Sequence, residues 1–189
     1  MSGPIRLATG NPGKAAELAR LLGAPVEPIA GWDPPVEDGA TFLDNARIKA
    51  RAGARQCPGA WVVADDSGIA VDALDGAPGV HSARFGGDGL DDPDRVQALL
   101  AAVAGAADRS ARFVCVLVAI GPDGAEVVAE GTLEGRLAEA PRGRNGFGYD
   151  PILIPAGETR TCGELAPHEK DAISHRGAAA RRLREALGL

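Results

Sequence analysis

Short apolar runs alternate along this chain with segments whose apolar residues recur at helical spacing. Ile5-Arg6-Leu7-Ala8 predicts a strand almost at the N-terminus. Ala15 to Leu22, with Leu18, Leu21 and Leu22 on one face, predicts the helix that follows. Val26 to Ile29 suits a second strand, and Gly31 to Gly39, with Pro34 and Pro35, reads as a loop. Thr41-Phe42-Leu43-Asp44 has the form of a capping box and predicts a helix to about Gln56. Trp61 begins a strand into Asp65-Asp66, with Val62 to Ala64 as its buried end, and Ser67-Gly68 after it reads as a turn. Arg95 to Ala104 is a short helix with its stripe of Val96, Leu99, Leu100 and Val103, which belongs to the core. Ala111 to Ile120 is apolar on both faces and predicts the longest, central strand. Gly121-Pro122-Asp123-Gly124 turns the chain back into Glu126 to Leu137, where Gly131 and Gly135 suggest bulges or close approach. Ile152 to Ile154 predicts one more strand, and Ala178 to Leu187 a last helix with Ser174 as its N-cap.

Composition narrows the function. With 189 residues the chain suits one domain or two close lobes, and 45% hydrophobic content is enough for a core. A net charge of −6 argues against a general grip on a nucleic-acid polymer. A small anionic substrate would need local cations or a metal. Cys57, Cys115 and Cys162 are an odd number without CxxC spacing, which fits a reducing cytoplasm rather than a disulfide framework. No charged region followed by an apolar run opens the sequence, so no signal peptide is expected. The longest strongly apolar run, 113 to 120, falls far short of the ~20 residues of a membrane helix, so no membrane association is expected.

Three stretches carry candidate chemistry. Thr9-Gly10-Asn11-Pro12-Gly13-Lys14 lies between a strand and a helix, the layout in which backbone N–H groups collect an anion. It is not a Walker A loop, because the glycine spacing is too short and Ala15 stands where Ser or Thr is needed. An ordinary βα turn with a surface lysine is the plain alternative. Asp65-Asp66 places two carboxylates side by side, where they repel unless a cation intervenes, and Mg²⁺ prefers such oxygen ligands. Read alone, one of them could equally make an Asx-turn and the other be solvated. Asp44 caps a helix and could also point at the same metal, and Lys49 could reach a phosphate. Gly146-Phe147-Gly148-Tyr149-Asp150 sets two of the chain's seven aromatic residues among glycines, as a base-stacking site would, or a tight turn with a packed ring. In Lys170 to Gly177, His175 and Arg176 fall in a helix's first turn, against the helix dipole, which hints at a site.

Taken in order, Thr9 to Lys14, Thr41-Phe-Leu-Asp-Asn-Ala46, Ala64-Asp-Asp-Ser-Gly-Ile69, Gly76 to Gly79 with Ser82-Ala-Arg84, Gly146 to Pro151 and Ser174-His-Arg-Gly177 closely resemble the inosine triphosphate pyrophosphatase family. These are the non-canonical purine nucleotide pyrophosphatases also called Ham1 or RdgB-like proteins. The resemblance spans nearly the whole chain. It implies an elongated α/β fold with a long mixed β-sheet and flanking helices, two lobes around a nucleotide cleft, and a homodimer. It implies Mg²⁺-dependent cleavage of ITP, dITP and XTP to the monophosphate and pyrophosphate.

Carried over by residue, Thr9, Gly10, Asn11, Pro12, Gly13 and Lys14 would hold the triphosphate, with Lys49 adding charge. Asp66 would be the general base and a metal ligand, with Asp65 and Asp44 helping to hold Mg²⁺. Ser67 would contact substrate. Phe147, Gly148, Tyr149 and Asp150 would embrace base and sugar, and Lys170, His175 and Arg176 would complete the pocket and read the 6-oxo group. The family usually has Glu where this chain has Asp44, one methylene shorter, so a water-mediated contact is plausible there. Asp66 would deprotonate a water for in-line attack at the α-phosphorus. Two other readings stand beside this one: a Maf-like pyrophosphatase acting on modified pyrimidine nucleotides, and a nucleotide-binding module without turnover.

Overall fold

The computed structural model describes residues 3–189. Its strands are β1 (Ile5–Leu7), β2 (Val26–Pro28), β3 (Val62–Val71), β4 (Ser110–Ile120), β5 (Glu126–Leu137) and β6 (Leu153–Pro155). Its helices are α1 (Pro12–Leu21), α2 (Phe42–Gln56), α3 (Asp92–Ala102), α4 (Pro167–Ile173) and α5 (His175–Leu187). The strands form one sheet in the order β2-β1-β3-β4-β5-β6. β1 runs parallel to both β2 and β3, with Leu7 opposite Pro28 and Val63, and β5 runs antiparallel to β6. The sheet is therefore mixed, as the resemblance implies.

The chain divides into two compact units. The first comprises Met1–Asp66, Cys115–Gly131 and His175–Leu189, the second Ser67–Val114 and Thr132–Ser174.

In the first unit the period-2 geometry of β3 and β4 sorts side chains into two layers. Val63, Cys115, Leu117 and Ala119 pack with Ile5 and Leu7 against Leu18 of α1 and Ala179, Ala180 and Leu183 of α5. Val62, Ala64, Val116, Val118 and Ile120 pack with Ala8 against Ala46 and Ala50 of α2. The second unit has its own core, in which Val96 and Leu99 of α3 meet Ile69, Val71, Phe113, Leu133, Tyr149 and Leu153. None of the three cysteines forms a disulfide.

Several boundaries differ from the sequence expectation. α1 begins at Pro12 rather than Ala15, because Asn11 caps it: its side chain accepts the Lys14 N–H at 3.1 Å, and Pro12 fits a first helical position. Pro12, Gly13 and Lys14 thus belong to the helix. Ser67-Gly68 is not a turn, because β3 runs on to Val71. Gly68 is needed there for close approach, since a Cβ would lie 2.3 Å from Ser82 Oγ in the 3₁₀ segment Gly79–Arg84. β5, at 12 residues, is longer than β4 at 11, although β4 does lie inside the sheet. α4 was not anticipated as a helix; its carboxyl end meets α5 at Ser174, whose N–H donates to Lys170 O at 2.8 Å.

Close approach also explains the glycines of β5. A Cβ on Gly135 would lie 2.2 Å from Ile154 O of β6. One on Gly131 would lie 2.1 Å from the His175 carbonyl, so Gly131 is what lets the first turn of α5 sit on the strand. Gly131→Ala forces that helix to move. The expected result is a loss of about 1–3 kcal/mol, read as a lower urea midpoint at an unchanged m-value.

Candidate active site

Adjacent residues of a strand face opposite sides, and this decides the fate of the carboxylate pair. Asp65 leaves β3 on the side of α1 and α5, and Asp66 on the side of α2.

Asp65 is 1% exposed. Lys14 Nζ lies 3.1 Å from its Oδ2, and Arg176 Nη2 lies 3.6 Å from the same oxygen. Arg176, in the first turn of α5, is fully buried and also donates through Nη1 to Glu17 of α1. The two carboxylates supply the negative charge that the N-terminus of α5 prefers, so the clash with the helix dipole is answered by packing. Burial alone would raise the pKa of Asp65, but Lys14, Arg176 and Lys49 outweigh it and hold the carboxyl well below its usual range. Burial likewise opposes the charge of Arg176, and Asp65 and Glu17 help to hold its pKa above the ordinary value.

Asp66 meets a different set. Lys49 Nζ donates to Asp66 Oδ1 at 3.0 Å and to Glu37 Oε2 at 2.7 Å. Asn45 Nδ2 donates to Asp66 Oδ2 at 3.3 Å, while its Oδ1 accepts the Gly39 N–H at 2.8 Å. Burial pushes the Asp66 pKa upward, against the opposing pull of Lys49 and Lys14. For Lys49, burial works against the charge, yet Asp65, Asp66 and Glu37 keep its pKa above the usual value. A carboxyl tuned upward and fixed by two donors has the character of a proton acceptor.

The expected metal set of Asp44, Asp65 and Asp66 is not assembled around one point. Among the described residues, no three His, Cys, Asp or Glu side chains come together as a metal-holding group. Asp65 points to the other face of the sheet. Asp44 closes the capping box, its Oδ2 accepting from Thr41 N at 3.1 Å and Thr41 Oγ1 at 2.7 Å. What the structure offers instead is Asp66 and Glu37, two carboxylates converging on one ammonium. Mg²⁺ commonly takes one or two carboxylates and completes its shell with water and substrate phosphate, so these residues fit it.

Thr9, Gly10, Asn11 and Pro12 form the exposed to half-buried entry to α1, with Thr9 Oγ1 accepting the Asn11 N–H at 3.1 Å. Lys14 is turned inward onto Asp65, and His175 is buried beside Arg176.

The second unit holds the aromatic turn. Asp150 Oδ2 accepts the Phe147 N–H at 2.8 Å and Lys170 Nζ at 2.6 Å, and both charged side chains are buried. Lys170 Nζ lies 5.2 Å from the Phe147 ring centre, within cation–π range. Tyr149 is a core residue whose hydroxyl donates to Ser82 O at 2.9 Å, and burial pushes its pKa up to about 12. Phe147 is only partly buried. Ser67 and Gly148 are also partly buried.

Glu37, Glu17 and Asn45 were not among the expected site residues. Glu37 lies in a Pro-rich loop, Glu17 reads as part of an ordinary amphipathic helix, and Asn45 as a first-turn residue of α2. No periodicity marks contacts made across 12, 159 and 21 residues.

The fold and these contacts define a class: a mixed α/β protein that sets carboxylate–lysine pairs on β3 beside the strand-to-helix turn at Thr9 to Lys14. The family model described as the Ham1 family matches residues 5–186, and the chain belongs to that family. It is 51% identical to a dITP/XTP pyrophosphatase of Streptomyces coelicolor, over 96% of this chain and 98% of that one. The structure of a HAM1 protein from Coxiella burnetii superposes with a TM-score of 0.86 at 43% identity, covering 98% of each chain. That of the Staphylococcus aureus Ham1 protein gives 0.87 at 37% identity, again over 98% of each.

Proposed function

We propose that this protein hydrolyses non-canonical purine nucleoside triphosphates, dITP, ITP and XTP, to the monophosphate and pyrophosphate. The observation that carries the reading is Asp66: a buried carboxyl with a raised pKa, gripped by Lys49 and Asn45, in a chain half identical to a dITP/XTP pyrophosphatase.

Asp66 would take the proton from the attacking water, and Lys49 would keep its carboxylate aligned. Thr9 to Lys14 would receive the phosphates at the start of α1. Asp66 and Glu37 would hold Mg²⁺, with Asp44 reaching it through water and Asp65 acting through Lys14. When bound, that ion neutralises charge on the phosphates and on departing pyrophosphate. Phe147 would stack on the purine, stiffened from behind by Asp150 and Lys170. His175 would supply a donor for the 6-oxo group, whereas Arg176, expected to do the same, is buried between Glu17 and Asp65 and would act through Asp65; a 6-amino group would leave such a donor unpaired, which costs more than a missing methylene. The reading extends to a cytoplasmic homodimer. Among the described residues no helix is long and apolar enough to cross a membrane.

The test is pyrophosphate release from ITP, XTP, ATP, GTP and a methylated pyrimidine triphosphate, each with Mg²⁺ and with EDTA. Release from ITP and XTP that EDTA abolishes, with ATP and GTP nearly untouched, is the expected result. Release from the pyrimidine alone, or release that survives EDTA, would overturn it.

A further inference from the structure

Both grips on Asp66 reach beyond it to one loop. Lys49 joins Asp66 Oδ1 to Glu37, and Asn45 joins Asp66 Oδ2 to the Gly39 N–H. Glu37 and Gly39 belong to the loop 31–39, which lies between β2 and α2. Each carboxylate oxygen of Asp66 is therefore held by a side chain whose second hydrogen bond goes to that loop.

The Asn45 contact is the stricter of the two. A backbone N–H can only donate, so Asn45 must turn Oδ1 toward Gly39, and this leaves Nδ2 for Asp66. Asn45 is buried, so water does not readily replace a lost partner. Gly39 is fitted to it: a Cβ there would lie 2.6 Å from Asn45 Oδ1 and 2.6 Å from Asp44 Cβ. Thr41 and Asp44 already form the capping box of α2, so capping does not need the Asn45 side chain. Earlier in the loop Asp33, Pro34 and Val36 are exposed, as is Asp38 beside Gly39, and such a segment opens at low local cost.

We infer that Asn45 and Gly39 are positioning residues: the seating of the loop end at Gly39 on Asn45 aligns the Asp66 carboxylate. The inference rests on the reading of Asp66 as the proton acceptor. It assigns to Gly39, a backbone group at the start of α2, a share in turnover without contact to the reacting atoms.

The test uses three variants of the full chain, with kinetics on dITP at saturating Mg²⁺ and hydrogen exchange at the Gly39 amide. Asn45→Asp keeps the acceptor for Gly39 but puts an oxygen where Asp66 had a donor. The Gly39 amide should stay protected, while kcat falls at least tenfold with KM within about twofold, the size of one lost hydrogen bond to a charged group. Asn45→Ala should lose both contacts, with the same fall in kcat and Gly39 exchange at least tenfold faster. Gly39→Ala keeps Asp66, Asn45 and Lys49 and displaces the loop end, yet should also cut kcat at least tenfold. Urea unfolding of each variant confirms that the chain is folded under assay conditions. Turnover within twofold of wild type in Asn45→Asp or Gly39→Ala, or unchanged Gly39 exchange in Asn45→Ala, would overturn the proposal. If Asp66→Asn itself keeps near-normal turnover, the reading of Asp66 falls and this inference with it, whatever the Gly39 amide shows.

Discussion

Asp66→Asn is expected to cut metal-dependent pyrophosphate release by about 10²–10⁴-fold, the range for loss of a positioned proton acceptor, while leaving the fold no less stable. The second half of the expectation follows from the direction of the pKa shift. Burial, against the pull of Lys49 and Lys14, raises the Asp66 carboxyl above its ordinary 3.8. The folded chain therefore binds that proton more tightly than the unfolded chain does. The stability this contributes is complete below the unfolded value and is lost as pH rises through the folded one. At neutral pH the ionised side chain is thus a cost to the fold. Asparagine removes the charge and keeps the shape, and Lys49 retains Glu37 as a partner at 2.7 Å. Urea unfolding at pH 7 in metal-free buffer should show a midpoint equal to or above that of the wild type. A clear fall in the midpoint, or turnover within a few-fold of normal, would contradict this account of the residue.

Asp65→Asn should behave in the opposite way, with a loss of about 3–5 kcal/mol of stability, because it removes a buried counter-charge and leaves its cations in place. Asp65 serves Lys14 and Arg176 at once, and Arg176 is fully buried. Its lowered pKa means that its stabilisation is present above the unfolded value of 3.8 and fades as pH falls through the folded one. The variant should therefore show a flatter stability profile on the acid side, besides its lower midpoint at pH 7. For a chain of this size the neutral-pH loss corresponds to roughly 6–20 °C in Tm. A double-mutant cycle with Arg176→Met should return a coupling of about 0.5–3 kcal/mol, since the two sites share one ion pair. Full stability of Asp65→Asn at pH 7 would show that the network does not hold α1 and α5 to the strand as described. Two neighbouring aspartates thus divide the work: one ties helices to β3, and the other carries the proposed chemistry at some cost to the fold.

Much of the framework was legible in the chain. Helical spacing marked α1, α2, α3 and α5, and Thr41 with Asp44 marked the start of α2 through a local capping pattern. Ordered motifs from Thr9 to Gly177 point to the family from sequence alone. These are signals within a few residues of one another, and a sequence carries them directly. The glycines at 131 and 135 also announced close approach, though not what approaches.

What the tertiary structure decided was the partner of each group. Sequence places Asp65 and Asp66 together; the pleat of β3 sends them to opposite faces, each to its own lysine. A turn was expected at Ser67-Gly68, where the small residue instead admits Ser82 onto a continuing strand. Asp150 and Lys170, expected to line a nucleotide pocket, are spent on each other beneath Phe147. Glu37, Glu17 and Asp92 look like surface acids until the fold brings them to Lys49, Arg176 and Gly148. Periodicity records which face of an element is buried, because that depends on its own residues. Which charge meets which depends on chain segments far away, and only packing brings those together.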